Sequence, residues 1–183
     1  MEEMMGLKGS YHGTLYFRNC EIPQDHILGE EGQGLEMFLW FLDVSRLNIA
    51  VNCMGSAERL LELATDFAKK RVTFGRAIAE RQAVQQMLAE MYTDVYMARC
   101  GIAECGRRYD AGEPIAVESS ACKLFALEAA GRVSDKALII HGGIGYTRAY
   151  PVERVYRDLR AMWFEEGTPT IQRLVMGRHV LGK

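Results

Sequence analysis

From Leu35 onward the apolar positions of the chain recur at helical spacing. Leu47, Ala50, Met54, Ala57, Leu61, Ala64 and Ala68 follow one another in steps of three and four. Val84, Leu88, Met91, Val95, Ala98, Ile102, Cys105 and Tyr109 do the same. Ile115, Ser119, Cys122, Ala126, Ala129, Val133, Ala137 and Ile140 repeat the pattern with one slip. Each stripe puts an apolar face along one side of a long helix. The breaks fall at Phe74-Gly75 and Gly112-Glu113-Pro114, so the helices are expected to run antiparallel and pack as a bundle. Gly142 reads as the stop of the third helix. Two shorter helices are predicted beyond it, from about Val152 to Arg160 and from Thr168 to Leu181. The second has a marked start, because threonine suits the N-cap and proline at the first helical position gives up no needed hydrogen bond.

The first residues follow a different pattern. Gly13 to Ile22 is rich in β-formers and is bounded by glycine and proline, which predicts a strand. One or two strands do not make a stable sheet. Residues 1–30 are therefore read as the remnant of a β domain with its linker, and residues 31–183 as a helical bundle domain. The fold class expected is mainly α: an antiparallel helical bundle with a short N-terminal β segment.

Composition narrows the function classes. Nearly half of the 183 residues are apolar, enough for a sizeable core. A net charge of −2 without any basic block argues against nucleic acid as a partner. Five scattered cysteines lack metal-ligand spacing and read as reduced thiols. His12, His26, His141 and His179 lie far apart in sequence, so no metal site is expected. No apolar run reaches membrane-spanning length, and Met1-Glu2-Glu3 does not open a signal peptide, which suggests a soluble intracellular protein. Met87, Met91 and Met97 read as core or interface residues. The apolar surplus suggests that some helix faces bury against sister subunits.

Candidate chemistry is sparse. Glu165 and Glu166 stand beside Gly167, where backbone can approach a ligand, just before the positive end of the last helix. They read either as a solvated turn or as an acid or base. Arg46 interrupts an apolar stretch and needs a partner, for which Asp43 lies three residues away. Arg71 ends the first long helix, where a cation complements the helix dipole. Gly142-Gly143-Ile144-Gly145 follows a helix rather than a strand, so a dinucleotide-binding loop is not supported.

Taken together, four segments resemble the C-terminal part of the acyl-CoA dehydrogenases, flavoproteins that desaturate acyl-CoA thioesters. The first runs from Gly6-Leu7-Lys8-Gly9-Ser10 through Cys20-Glu21-Ile22-Pro23 to Leu28-Gly29-Glu30-Glu31-Gly32-Gln33-Gly34. The second is Arg71-Val72-Thr73-Phe74-Gly75 with Gln82 downstream. The third covers His141 to Arg148, Tyr150 to Arg154 and Tyr156-Arg157-Asp158. The fourth is Glu166-Gly167-Thr168 with Ile171-Gln172-Arg173. Each alone is weak; four in order, over essentially the whole chain, are specific.

The resemblance implies FAD as cofactor, contacted by Arg71, Val72, Thr73, Phe74, Arg81, Gln82, Ile139, Gly142, Gly143, Thr168 and Thr170. It implies that part of each flavin site comes from a neighbouring subunit of a dimer or tetramer. It implies acyl-CoA as substrate, met by Asp43, Ser45, Arg46 and Gly167, and an electron-transfer flavoprotein as electron acceptor. It implies Glu166 as the base that takes the proton next to the thioester carbonyl while a hydride leaves the adjacent carbon for the flavin. A minority of the family carries its base at the position of Ser45, and serine cannot serve as that base. Glu165 departs from the aromatic common at its place, which sets a second carboxylate beside Glu166. Ile139 departs from a glutamine and Thr170 from a longer polar residue, which puts side-chain contacts to the flavin at those two positions in doubt. Family members also carry a helical and a complete β domain before this point, so the chain by itself is expected to bind FAD weakly and turn over poorly. The implied compartment is the cytoplasm in a bacterium or the mitochondrial matrix in a eukaryote. Two other readings are a non-catalytic helical oligomerisation module and a flavin-dependent oxidase on the same scaffold.

Overall fold

The computed structural model describes residues 2–183. Five helices carry the fold: α1 (Gly34–Lys70), α2 (Gln82–Asp110), α3 (Ala116–His141), α4 (Val152–Ala161) and α5 (Pro169–Val180). Between α1 and α2 lies a two-stranded hairpin, β1 (Val72–Thr73) and β2 (Arg76–Ala77), with Val72 opposite Ala77. Its turn has positive φ at both Phe74 and Gly75. That is the turn geometry whose twist matches a tight hairpin, so the break read at these residues is a reversal with a strand on each side.

The expected mainly α bundle is present, but its N-terminal β segment is not. Gly13 to Ile22 forms no strand, and Leu15, Tyr16, Phe17 and Ile22 are exposed. The residues have the side chains of a strand and no neighbouring strand to accept their backbone hydrogen bonds. The chain ahead of this segment is anchored on α4. The Leu7 amide donates to the Asp158 carboxylate at 2.6 Å, and the Arg157 guanidinium donates to the Met5 carbonyl at 2.7 Å. Gly6 lies so close to α4 that an added Cβ would sit 2.7 Å from the Arg157 carbonyl carbon.

Ion pairs across the helices fix their directions. Arg132 and Lys136 of α3 reach Asp94 and Glu90 of α2, so these two helices are antiparallel. On α1, Phe67 stacks on His141 of α3, while Arg46 lies near Lys123; these two helices therefore run parallel. They form the largest helix contact in the chain. Ala50, Ala57, Ala64 and Ala68 make most of the α1 seam, with Ala126, Ala130 and Ala137 on α3. Small residues on both sides let the backbones approach closely, and Leu60, Met91, Leu127 and Val133 fill the space around them. The α1 seam differs in phase from the one read in the sequence: Cys53 and Leu60 are fully buried, whereas Met54 and Leu61 lie half-buried at its flank.

At the other end of α1, Leu35, Phe38, Leu39, Trp40 and Phe41 are exposed together with Leu28. No helix among the described residues is long and apolar enough to cross a membrane.

Candidate functional site

The site residues fall into two groups at opposite ends of the α1–α3 pair. The first surrounds Glu166, in the turn between α4 and α5. Glu166 adopts a left-handed φ of 51°, followed by Gly167 at 91°. The left-handed region costs a residue with a Cβ on the order of 1–2 kcal/mol, so something must hold it there. Three side chains from three helices do so. Arg46 of α1 donates to the Glu166 carbonyl at 3.5 Å. Gln172 of α5 donates to the carbonyls of Glu166 at 3.1 Å and Gly167 at 2.9 Å. Lys123 of α3 donates to the carbonyls of Glu165 and Gly167. These bonds grip the backbone and leave the Glu166 carboxylate unengaged by them.

Burial makes the grip obligatory. Lys123 and Gln172 are 0% exposed and Arg46 only 7%. A buried ammonium without partners costs several kcal/mol. Arg46 also pairs with Asp43 at 2.9 Å, as its spacing suggested. That ion pair and the contact to Glu166 coexist, so a structural role and a place in the site are not alternatives here. Burial pushes the Asp43 carboxyl up, against the lowering effect of Arg46. Burial also pushes the Lys123 ammonium down, to about 8, opposed by the charge on Glu166. Ser45 is buried beside Arg46, and a Cβ on Gly167 would meet Gln172 Nε2 at 3.1 Å.

Thr168 occupies the N-cap position of α5 and Pro169 the first helical one, as read. The Thr168 hydroxyl, however, makes no capping hydrogen bond, and Thr168 and Thr170 are both exposed.

The second group surrounds a cleft of about 690 Å³ at the C-terminal ends of α1 and α3. Arg71, Thr73, Gly142 and Gly143 line it, with Lys70, Phe67, His141 and Tyr150. Arg81 reaches over the hairpin to donate to the Thr73 carbonyl at 2.7 Å and its hydroxyl at 3.0 Å, and its guanidinium lies 5.5 Å from the Phe74 ring. Val72, Phe74, Gln82 and Ile139 are exposed around this end. Gly142 caps α3 with φ 65° and ψ −151°, a combination essentially confined to glycine. Nothing lies within 4 Å of where a Cβ would stand on Gly142 or Gly143, so their backbone is open to the cleft.

His141 closes the inner wall. Its ring stacks on Phe67 at 4.4 Å and meets Tyr150 edge-on at 5.3 Å. Its Nδ1 donates to the Ala137 carbonyl at 2.7 Å, while its Nε2 is buried without a partner. Burial pushes the imidazole below its usual value of 6.5, outweighing the carbonyl bond. The folded state thus holds His141 neutral, whereas the unfolded chain binds a proton near 6.5. The contribution to stability is fully present above that value and is lost as pH falls through the folded one. Thermal melts are expected to show falling stability from about pH 6.5 downward, and His141→Phe to remove that part of the slope. An unchanged slope in His141→Phe would assign it to other groups.

The two groups do not meet within one copy. Lys123 and His141 mark their positions on α3, 18 residues apart, which at ~1.5 Å per residue is roughly 27 Å. Glu166, Arg46, Asp43, Ser45, Gly167, Thr168 and Thr170 belong to one end; Arg71, Val72, Thr73, Phe74, Arg81, Gln82, Ile139, Gly142 and Gly143 belong to the other. Two residues at the Glu166 end escaped the sequence reading. Gln172 stood inside a quoted motif without a role. Lys123 stood in the third apolar stripe, where a lysine between Ser119 and Ala126 was the available signal.

Comparison with known proteins bears on both ends. The family model described as "Acyl-CoA dehydrogenase, C-terminal domain" matches residues 32–181, which include every residue of the two groups. An acyl-CoA dehydrogenase of Bacillus subtilis is 40% identical over 99% of this chain, which covers 48% of that protein. The solved butyryl-CoA dehydrogenase of Megasphaera elsdenii is 33% identical with a TM-score of 0.95, over 98% of this chain and 47% of that one. A chain solved in a study of the electron transferring flavoprotein of Acidaminococcus fermentans is 35% identical with a TM-score of 0.96, over 100% of this chain and 48% of that one. This chain thus spans about half the length of the relatives it matches. With its helical end matched from α1 through α5, the chain belongs to the acyl-CoA dehydrogenase family, as that family's C-terminal domain.

Proposed function

We propose that the chain supplies the base, the substrate arginine and part of the flavin cleft of an FAD-dependent acyl-CoA dehydrogenase that forms 2-enoyl-CoA. The observation that carries this reading is Glu166: a glutamate held in a left-handed turn by Arg46, Lys123 and Gln172, which donate to the carbonyls of Glu165, Glu166 and Gly167, with its carboxylate outside that hydrogen-bond set. Its carboxylate removes the proton from the carbon next to the thioester carbonyl. Arg46, anchored by Asp43, orients the thioester end of the substrate, and Ser45 and Gly167 shape the same wall. FAD held by the residues of the second cleft would supply the hydride acceptor for the adjacent carbon, so that two electrons would leave the substrate as the double bond forms.

The residues of the second cleft fit such a cofactor. Arg71 and Lys70 offer cations to a pyrophosphate, and the open backbone of Gly142 and Gly143 permits close approach. Thr73, held by Arg81, presents a polar edge, with Val72, Phe74, Gln82 and Ile139 beside it. Thr168 and Thr170 open α5, whose amino end favours an anion. Because the two ends lie far apart in one copy, a second copy brings its Arg71 end to the Glu166 end of the first, and the assembly is a dimer or tetramer. Residues 1–30 are the exit of a β domain that precedes the bundle, and the exposed run from Leu28 to Phe41 is where other parts of the assembly pack. An electron-transfer flavoprotein reoxidises the enzyme, in the cytoplasm of a bacterium or the mitochondrial matrix of a eukaryote.

Anaerobic addition of saturated acyl-CoA thioesters to the FAD-loaded holoenzyme tests the reading. Flavin absorbance is expected to bleach with one enoyl-CoA formed per flavin, and reoxidation to require an electron-transfer flavoprotein. Failure to bleach with every chain length contradicts a dehydrogenase and favours a helical assembly module. Rapid reoxidation by oxygen would instead mark an oxidase.

A further inference from the structure

Lys123 stands out among the buried groups. Among the described residues it is the largest side chain with no solvent exposure, and its buried neighbours along α3 are Ser119, Ser120, Ala126 and Leu127. Burying an ammonium is costly, and packing alone would favour an apolar residue of similar volume. Its hydrogen-bond partners are not carboxylates but the carbonyls of Glu165 and Gly167, the residues on either side of Glu166 in the chain. Gln172 and Arg46 take the carbonyl between them. Three consecutive carbonyls are therefore turned inward onto three donors, and the Glu166 side chain leaves the turn from a backbone that cannot rotate without breaking them.

We propose that Lys123 is a positioning residue for Glu166: by clamping the carbonyls before and after it, the ammonium fixes the left-handed turn from which the carboxylate is aimed. This rests on the reading of Glu166 as the base. Strained backbone held by an over-determined surround is the arrangement expected of a preorganised group. A misplacement of about 1 Å in such a group costs on the order of 100-fold in rate.

The groups facing the ammonium also make the clamp sensitive to pH. Arg46 and Cys53 approach from α1, Glu165 and Glu166 from the turn, and the neutral Gln172 from α5; Asp43 stands behind Arg46. Burial lowers Lys123 to about 8, and the charge on Glu166 acts against that lowering. Above this value the donor becomes a neutral amine, and its grip on the carbonyls weakens because charge-assisted bonds are roughly twice as strong as neutral ones.

Three variants of the FAD-loaded holoenzyme test the clamp: Lys123→Met, Lys123→Gln and Glu166→Gln. Flavin reduction by acyl-CoA is expected to fall roughly 100-fold in Lys123→Met with FAD still bound. Lys123→Gln, which keeps a donor, recovers part of that rate. The wild-type rate declines through about pH 8, and this decline is absent in Lys123→Gln. Wild-type rates and an unchanged alkaline decline in the lysine variants overturn the proposal, and Lys123→Gln alone decides if Lys123→Met does not fold. A second measurement needs no turnover: the titration of the Lys123 ammonium, followed by nitrogen-15 resonance in labelled protein, moves to lower pH in Glu166→Gln because the opposing charge is removed. An unmoved titration also overturns the proposal. Normal flavin reduction in Glu166→Gln would refute the base itself; loss there with normal lysine variants refutes only the clamp.

Discussion

Glu166→Gln is expected to abolish flavin reduction by acyl-CoA thioesters while FAD remains bound. The substitution is nearly isosteric, and the turn is held through backbone carbonyls by Lys123, Gln172 and Arg46, none of which depends on the carboxylate. Structure and flavin content should therefore be unchanged. An amide cannot take the proton, and a general base contributes about 10²–10⁴-fold, so the rate of flavin bleaching in stopped flow should fall by at least roughly 10²-fold. Near-normal bleaching would remove Glu166 from the chemistry. A loss of flavin together with the rate would point to an assembly role.

Arg71→Glu should have an equally large effect on a different observable. Arg71 lies exposed at the end of α1 and lines the second cleft beside Lys70. If it serves only the helix dipole, reversing its charge costs about 0.3–1 kcal/mol of stability and nothing else. If it meets a pyrophosphate, reversal puts a negative charge where the cofactor carries its own. A charge-assisted bond is then lost and a repulsion gained, which should lower FAD affinity by at least about 100-fold. The flavin-to-protein absorbance ratio after gel filtration, read beside a thermal melt, separates the two. A colourless, folded protein is expected; a yellow protein with a slightly lower melting temperature contradicts the cofactor role.

The helices were legible because their apolar positions repeat, and the breaks at Phe74-Gly75 and Gly112-Glu113-Pro114 fell where the chain reverses. The phase of the α1 seam was harder to read. Its buried positions are mostly alanine, so burial there follows from close helix approach rather than from large side chains such as Met54 and Leu61. The strand expected at Gly13 to Ile22 failed for a plain reason: a strand is a property of two segments, and its sequence shows only one. Glu166 and Arg71 were singled out through their motifs, and the Asp43–Arg46 ion pair through helical spacing. Lys123 was missed because its meaning lies in carbonyls 42 and 44 residues away, which no local pattern reveals. The same limit hid the separation of the two site groups, which becomes apparent only once α1 and α3 are seen to run parallel.

A site completed by two copies can be tested by complementation. Coexpressed Glu166→Gln and Arg71→Glu chains, each inactive when expressed alone, form mixed pairs in which one of the two sites has both an intact Glu166 and an intact Arg71. Random pairing makes half of the pairs mixed, so about one quarter of the wild-type sites should be restored. Recovery of flavin reduction near that fraction is the predicted result. No recovery in demonstrably mixed assemblies would contradict a base from one copy acting at a flavin cleft completed by the next.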